Sequence, residues 1–273
     1  MDKKIEEAEI TIFDTETTGL DPDSGDRVVE IAAIRIKGKE KIASFQTLIN
    51  PEKAISEAAF GVNHITPEML EKAPRPEEAL PKFLNFIQDS CLCSYNAGFD
   101  LEFLNNELRL LNKTGLESMV VIDILKMAKK LLPGLERYAL WYVAQSLGIK
   151  KQQEHRALSD VELTLDVFDK FKKMLELKGI FDFSNFSGLF GVNAHFLDNL
   201  NNHKIAKIQE AINLGVKLRI KYLASSNAEV TQREVTPKEI RQDKKVSYLV
   251  GYCALRNDER TFRVDNILHL EIL

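Results

Sequence analysis

Residues 10–20 read ITIFDTETTGL, an apolar run that carries two carboxylates, Asp14 and Glu16, two positions apart. Successive side chains of a strand point to opposite faces, so these two carboxylates project from the same face. Adjacent carboxylates repel each other and do not both stay ionised without a cation. Hard divalent cations such as Mg²⁺ take oxygen ligands of this kind. The segment therefore predicts a strand with a metal site, although an edge strand whose polar residues face water remains an alternative.

The composition is that of a soluble globular protein. The chain has 273 residues, of which 44% are hydrophobic and 29% are charged, which suits one large domain or two ordinary ones. No apolar run approaches the ~20 residues that cross a bilayer, and the polar N-terminus lacks the apolar core of a signal peptide. We therefore expect a cytoplasmic protein without a membrane partner. Cys91, Cys93 and Cys253 have no zinc-binding spacing and are expected to be reduced thiols.

Hydrophobic periodicity divides the chain into two kinds of structure. Strands are predicted over 10–13, 28–36, 42–49, 91–95 and 119–122, and helices over 76–88, 100–111, 124–132, 138–147 and 157–177. This mixture predicts an α/β domain. The aromatic-rich segment 179–204 is predicted to be a linker that packs its phenylalanines on a neighbour. After a helix over 204–214, short strands over 217–223, 229–235, 247–255, 260–264 and 267–272 predict a small all-β barrel.

The formal charge is unevenly distributed. The net charge is −4, but residues 201–273 contain 13 Lys and Arg against 9 Asp and Glu, which leaves −8 for the rest. The asymmetry favours an acidic metal-binding part and a basic part that binds an anionic ligand.

Three further residues complete a candidate catalytic set. Asp100 follows a predicted strand at the start of a helix, while His155 and Asp160 flank the start of helix 157–177. Each carboxylate alone is equally well explained by the helix dipole, and His155 by an ordinary surface loop. A histidine beside carboxylates can, however, take a proton from water near neutral pH.

The motifs FDTETTGL, NAGFD and HRALSD, in this order, resemble those of the DEDDh 3′→5′ exonucleases. The resemblance covers about residues 8–177 and implies a ribonuclease H-like fold, a mixed sheet flanked by helices. It further implies two Mg²⁺ or Mn²⁺ ions, bound by Asp14, Glu16, Asp100 and Asp160, with His155 as the general base. Glu30 and Asp123, also acidic, are expected to have structural roles such as helix capping. The substrate-binding residues implied by the same resemblance are Thr17, Thr18, Gly19, Leu20, His64, Asn96 and Phe99.

One loop departs from the family pattern. Residues 62–66 read VNHIT, where many relatives have Val-His-Gly-Ile-Thr. Asn63 and His64 thus replace the His-Gly pair, so a base-stacking role for His64 is an open question.

The C-terminal part, about residues 205–273, resembles a WYL domain, a small Sm-like β-barrel thought to bind nucleic acid or a nucleotide ligand. Ser247 replaces the tryptophan of the family name. Arginine forks grip phosphate and aromatic rings stack on bases. The residues expected to bind the ligand are Arg233, Tyr248, Arg256, Arg260 and Arg263.

These features predict an exonuclease domain over 1–178, a linker over 179–204 and a WYL-like domain over 205–273. The expected function is hydrolysis of single-stranded nucleic acid, DNA rather than RNA, to nucleoside monophosphates in replication or repair. Two alternatives remain: a non-catalytic nucleic-acid-binding regulator, and an exoribonuclease that trims RNA with the same chemistry. The sequence does not identify a protein partner.

Overall fold

The structure is a computed structural model that describes residues 3–192, 194–244 and 246–273, without the side chains of 194–199. Its N-terminal sheet has the strand order β3-β2-β1-β4-β5. The strands are β1 (Glu9–Thr17), β2 (Val28–Lys37), β3 (Glu40–Leu48), β4 (Cys91–Ser94) and β5 (Val121–Asp123). β1 to β3 are antiparallel, whereas β4 and β5 run parallel to β1. The predicted mixed sheet is confirmed.

Seven helices flank this sheet: α1 (Glu57–Asn63), α2 (Pro67–Glu71), α3 (Pro76–Ile87), α4 (Ala97–Leu110), α5 (Ile124–Leu131), α6 (Leu140–Ser146) and α7 (Ala157–Leu177). Alternation along β1 sorts its side chains between two cores. Phe13 packs in one cluster with residues of α3 and α4. Ile10 and Ile12 pack in the other, with residues of α5, α6 and α7. Asp14 and Glu16 share the parity of Ile10 and Ile12, so they project from the face that α7 covers.

The C-terminal strands form a separate antiparallel sheet in the order β10-β6-β7-β8-β9. They are β6 (Leu218–Leu223), β7 (Val230–Asp243), β8 (Val246–Cys253), β9 (Asp258–Arg263) and β10 (Ile267–Ile272). Their apolar side chains form a third core cluster, which includes Leu249, Phe262 and Ile267. The all-β character is confirmed, and closure of the sheet into a barrel remains a prediction.

β7 is longer than its sequence pattern predicts. The predicted strand ended at Val235, yet β7 runs on through Pro237 to Asp243, although proline usually interrupts a strand ladder. β7 pairs with β6 only as far as Val235 and with β8 from there onward, with a register shift between Pro237 and Glu239. The missing N–H of Pro237 therefore lies at an irregularity beyond the end of β6, where a ladder hydrogen bond is not lost.

The segment predicted as a linker is largely helical, which the sequence did not predict for residues 183–190. α8 (Phe183–Phe190) begins at Asp182, whose carboxylate accepts the Asn185 N–H at 2.7 Å, and α9 (Ala194–Leu214) follows. The expectation that the aromatics pack is confirmed for Phe186 and Phe190 but not for Phe181, which is exposed. Phe186 and Phe190 are fully buried, and the Phe186 ring centroid lies 6.1 Å from that of Phe168. Burial of these rings against α7 supplies the stability that the local Ser, Asn and Gly composition does not predict.

Lysines from α5 and α9 face one aspartate where the two sheets meet. Lys130 Nζ lies 3.8 Å from the Asp265 carboxylate, which also binds the Arg263 guanidinium at 2.7 and 3.0 Å. Lys126 donates to the carbonyl of Gly191, and Lys204 to that of Ile267. Burial lowers the pKa of Lys130 to about 8, against the attraction of Asp265. The contact is thus a buried cluster with more cations than anions.

No helix in the described ranges is both long enough and apolar enough to span a membrane.

We expect Asp265→Asn to lower the free energy of unfolding by about 2 kcal/mol at pH 7, because it leaves buried cations unpaired. The pKa of Lys130 in the folded protein is below its unfolded value, so the unfolded state binds more protons between about pH 8 and pH 10.5 and stability rises with pH there. The defect should accordingly shrink in thermal unfolding above pH 8. Asp258→Asn, at an exposed ion pair with Arg260, is the matched control and should change little; an equal loss in both variants would contradict the assignment.

Candidate active site

Three carboxylates converge where β1 meets the start of α7. Oxygen atoms of Asp14, Glu16 and Asp160 all lie within 4.8 Å of one another. β1 is the third of five strands, and its pairing with β2 holds both of its acidic residues, which lie opposite Ala32 and Glu30. Asp160 is the fourth residue of α7, which packs on β1 and β2. The arrangement places three acids from two rigid elements around one point.

Asp160 has one oxygen held and one oxygen without a partner. Its Oδ2 accepts from the Gln153 side chain at 2.7 Å. Its Oδ1 is buried and has no hydrogen-bond partner among the described residues. A buried carboxylate oxygen without a partner carries a full desolvation penalty, and a cation at the acidic cluster would remove it.

Asp100 lies beside this group and is not one of the three that converge. It is the fourth residue of α4 and is buried. Its Oδ1 accepts from the backbone and hydroxyl of Thr15 at 3.0 and 2.7 Å, and its Oδ2 accepts from the Ser94 hydroxyl at 2.6 Å. Each carboxylate oxygen can accept more than one bond, so these contacts orient Asp100 and leave it capacity for a ligand.

The pKa values of these acids are raised, which indicates that the negative charge around them is not compensated. Burial, then repulsion by Asp100, Glu16 and Asp160, raises the pKa of Asp14 well above its ordinary value. Burial, with repulsion by Asp160 and Glu30, raises the pKa of Glu16 to about 8. Burial raises the pKa of Asp100 to about 6, although its hydrogen bonds from Ser94 and Thr15 oppose the shift. An oxygen-seeking divalent cation fits this donor set.

His155 stands at the edge of the site on an exposed turn. Its φ is +53°, a left-handed conformation that is uncommon outside glycine, and its side chain is exposed. The pKa of Asp160 is raised chiefly by burial, while the Gln153 side chain, the charge of His155 and the backbone N–H groups of Glu154 and His155 oppose the rise. These contacts tie the histidine turn to the acidic cluster.

A buried ion pair anchors that turn to the sheet. Glu30, opposite Glu16 in the β1–β2 ladder, is fully buried. Arg156 grips its two oxygens at 2.8 and 3.0 Å, and the Ala157 N–H donates at 3.2 Å. Burial alone would raise the pKa of Glu30, but hydrogen bonds from Arg156, Gln46 and Ala157 lower it. The predicted structural role of Glu30 is confirmed, whereas its partner Arg156 was missed because the two are 126 residues apart.

The loop that follows β1 is fixed from two sides. The Thr18 hydroxyl donates to Asp26 at 2.9 Å and accepts from the Arg27 N–H at 3.0 Å. A Cβ at Gly19 would overlap the Asp26 carboxylate, so only glycine fits there. The buried Asn63 donates to the Thr17 carbonyl at 3.3 Å, a supporting contact that the sequence pattern did not reveal. Leu20 is left 83% exposed at the loop tip.

The other predicted substrate contacts have diverse surroundings. His64 is exposed at φ +53° and meets the Phe60 ring edge-on at 6.0 Å, so it occupies the glycine position of the family loop with a glycine-like backbone. Asn96 is exposed and left-handed at the start of α4, and its N–H donates to Asp123. Asp123 also caps α5, which confirms its structural role. Phe99 is half-buried against Phe103.

The predicted C-terminal ligand residues do not share one face. Arg260 and Arg263 are three positions apart on β9 and therefore project from opposite faces. Arg263 is held by Asp265, while Tyr248 lies opposite it across the β8–β9 ladder. Arg233 contacts Thr231 and the thiol of Cys253. Arg256 and Arg260 are exposed and are the two arginines of this set most accessible to a ligand.

Comparison with known proteins assigns the family. The model of the exonuclease family RNase_T matches residues 11–168, and DNA polymerase III subunit epsilon of Treponema pallidum is 42% identical over 165 residues, 60% of this chain and 76% of that protein. The chain belongs to the exonuclease family. Residues 203–272 also match the WYL domain.

Two further comparisons set the extent of the likeness. The chain is 39% identical over 180 residues to the PolC-type DNA polymerase III of Thermotoga maritima, which is 66% of this chain but only 13% of that polymerase. Its fold resembles the nuclease domain of 3′hExo, a DEDDh family member solved with rAMP, with a TM-score of 0.56, 18% identity, and coverage of 66% of this chain and 97% of that one.

We expect Glu30→Gln to lower both the free energy of unfolding, by about 3 kcal/mol, and the nuclease rate. The substitution leaves Arg156 without its carboxylate, and loss of one partner of a buried pair is costly. Thermal unfolding and nuclease assays would measure the two effects. Glu52→Gln is the matched control, because Glu52 and Arg75 form an ion pair that is more than half exposed on both sides and should contribute little. Equal behaviour of the two variants would contradict an anchoring role.

We expect the metal-free protein to lose stability as pH rises from about 4.5 to about 8. The pKa of Glu16 is higher in the folded state, so the folded state binds more protons in that window and deprotonation penalises it. Mn²⁺ should therefore raise the melting temperature more at pH 8 than at pH 6. Glu16→Gln should raise the metal-free melting temperature at pH 8 and reduce the Mn²⁺ effect. A Mn²⁺ effect independent of both pH and Glu16 would contradict binding at this cluster.

Proposed function

We propose that the chain is a metal-dependent 3′→5′ exonuclease that hydrolyses single-stranded nucleic acid, with DNA preferred, and releases nucleoside monophosphates. The observation that carries the proposal is the convergence of three carboxylates, of which Asp160 is buried and has one oxygen without a partner, within the segment that matches an exonuclease family. The preference for DNA is supported by the likeness to a subunit of DNA polymerase III. The proposed division assigns 1–178 to the exonuclease domain, 179–204 to the connecting segment and 205–273 to the WYL domain.

The ligands of the proposed metal site are Asp14, Glu16 and Asp160, with Asp100 beside them. Two Mg²⁺ or Mn²⁺ ions would supply Lewis-acid stabilisation of the phosphate and a lower pKa for the attacking water. Ser94 and Thr15 fix the Asp100 carboxylate, and Gln153 fixes that of Asp160. The protein therefore orients its acids in advance, which reduces reorganisation during the reaction.

His155 is the proposed general base. As a neutral imidazole it takes a proton from water while the water oxygen forms the new bond to phosphorus and the bond from phosphorus to the 3′-oxygen breaks. The leaving 3′-oxygen is protonated from solvent. The ion pair between Arg156 and Glu30 fixes the residue that directly follows His155. It therefore limits the positions that the imidazole can take.

The loop of residues 17–20 is the proposed pocket for the terminal nucleotide. Leu20 is exposed just after β1, the strand that carries Asp14 and Glu16. The Ser56 N–H, at the start of α1, and the Asn63 side chain donate hydrogen bonds to this loop. His64, Asn96 and Phe99 are proposed as further contacts. In the WYL domain, we propose that nucleic acid or a nucleotide ligand binds at a surface that includes the exposed Arg256 and Arg260, whereas Arg263 projects from the other face of β9 and is paired with Asp265.

Digestion of 5′-labelled single-stranded DNA and RNA with Mg²⁺ or Mn²⁺ tests the function. We expect a ladder that shortens from the 3′ end, faster on DNA, and lost in Asp14→Ala. His155→Ala should lower kcat by about 10² to 10⁴ through loss of the base, yet retain the melting-temperature rise with Mn²⁺. His269→Ala, on the exposed face of β10, is the control and should keep full activity. A folded wild-type protein that cleaves neither polymer would overturn the proposal.

A further inference from the structure

A groove extends from His155 along one side of α6. Its volume is about 690 Å³, and His155 is one of its lining residues. The groove therefore reaches the turn that carries the proposed general base. Its walls are formed by α6 and by the turn that joins α6 to α7, with the lining residues Trp141, Gln145, 148–153 and His155.

Trp141 presents an aromatic surface to this groove. It is the single tryptophan of the chain and is 43% exposed. Its ring meets that of Tyr142 edge-on, with centroids 5.5 Å apart and an interplanar angle of 84°. A tryptophan in a helix usually buries most of its large apolar area. A ring held by a neighbour and left half open is suited to stack on a flat ligand.

The charged lining of the groove is cationic. Lys150 is exposed and forms no ion pair with the residues that the structure describes. Lys151 lies 2.9 Å from Asp166 and 3.9 Å from Glu162, outside the groove lining. The lining has no carboxylate, and its other polar side chains are the amides of Gln145, Gln152 and Gln153.

A second groove has a more acidic lining and serves as a comparison. It is slightly larger, about 750 Å³, and lies along α4. Four of its lining residues are acids, Asp21, Asp23, Glu102 and Glu117, against the two bases Arg109 and Lys113. A polyphosphate chain is repelled by such a surface, so charge selects the groove at Trp141 between the two.

We propose that the groove at Trp141 is a subsite for single-stranded nucleic acid. One base stacks on the Trp141 indole and the adjoining phosphate lies near Lys150, while the 3′ end reaches the acidic cluster past His155. Stacking on an aromatic ring tolerates any base and adds to phosphate attraction. The inference rests on the proposed function, because His155 links the groove to the reacting end. It gives α6, which lies outside the three exonuclease motifs, a role in binding the substrate.

The fluorescence of the single tryptophan reports directly on this subsite. We would titrate the wild-type protein with octathymidylate in Ca²⁺, and follow binding independently by the anisotropy of a labelled octamer. The expected result is saturable quenching of Trp141 at the concentrations where anisotropy rises, with no quenching by thymidine monophosphate. Binding seen by anisotropy without any change in tryptophan fluorescence would overturn the inference. This readout needs no catalysis, so it stands even if the proposed hydrolysis is not found.

Kinetics supply the second test. Trp141→Ala should raise KM for octathymidylate about tenfold with kcat nearly unchanged, and Trp141→Phe, which retains a ring, should restore most of the loss. Neither variant should alter hydrolysis of the p-nitrophenyl ester of thymidine 5′-monophosphate, which is too short to reach Trp141. Phe181→Ala, at a ring 52% exposed outside this groove, is the matched control. An equal loss on both substrates, or an unchanged KM for the octamer, would contradict the subsite.

Discussion

Repulsion among closely spaced carboxylates is the constraint on which the N-terminal half of this protein depends. Asp14, Glu16 and Asp160 converge within 4.8 Å, and like charges at that distance raise one another's pKa strongly in a low dielectric. Flexible elements would relieve the repulsion by moving apart. Here the acids are carried by an inner strand and by a helix packed on that strand. Rigid support therefore keeps a charge arrangement that is favourable only with a cation bound.

The same constraint explains the ion pair of Arg156 and Glu30. Glu30 adds a fourth negative charge near Glu16 and contributes to its raised pKa, so its presence beside the cluster is costly. Arg156 neutralises it with a bidentate contact and, at the residue that precedes α7, fixes the start of the helix that carries Asp160. A buried pair of this kind contributes little net stability compared with an apolar pair. Its value is the fixed position of the histidine turn.

The sequence predicted the elements whose signals are local and missed those that depend on distant partners. Alternation in residues 10–17 and the helical period of 157–177 indicated β1, α7 and the acids they carry. The end of β7 was misplaced because the effect of Pro237 depends on where β6 ends. The helix α8 was missed because Phe168, far away in the sequence, buries its Phe186 ring. Asn63 and Arg156 were missed as supports since their partners lie 46 and 126 residues away.

α5 connects the active-site half to the C-terminal sheet. At its start, Asp123 caps the helix and accepts the N–H of Asn96, the residue from which α4 and its Asp100 begin. One turn and two turns later, Lys126 binds the Gly191 carbonyl and Lys130 binds Asp265 and Asn266. Both lysines are buried at a contact with an excess of positive charge. A displacement of the C-terminal sheet would separate Lys130 from Asp265 and leave a charge unpaired, which is costly. This cost holds the sheet against α5, whose capping residue Asp123 also binds the start of the helix that carries Asp100.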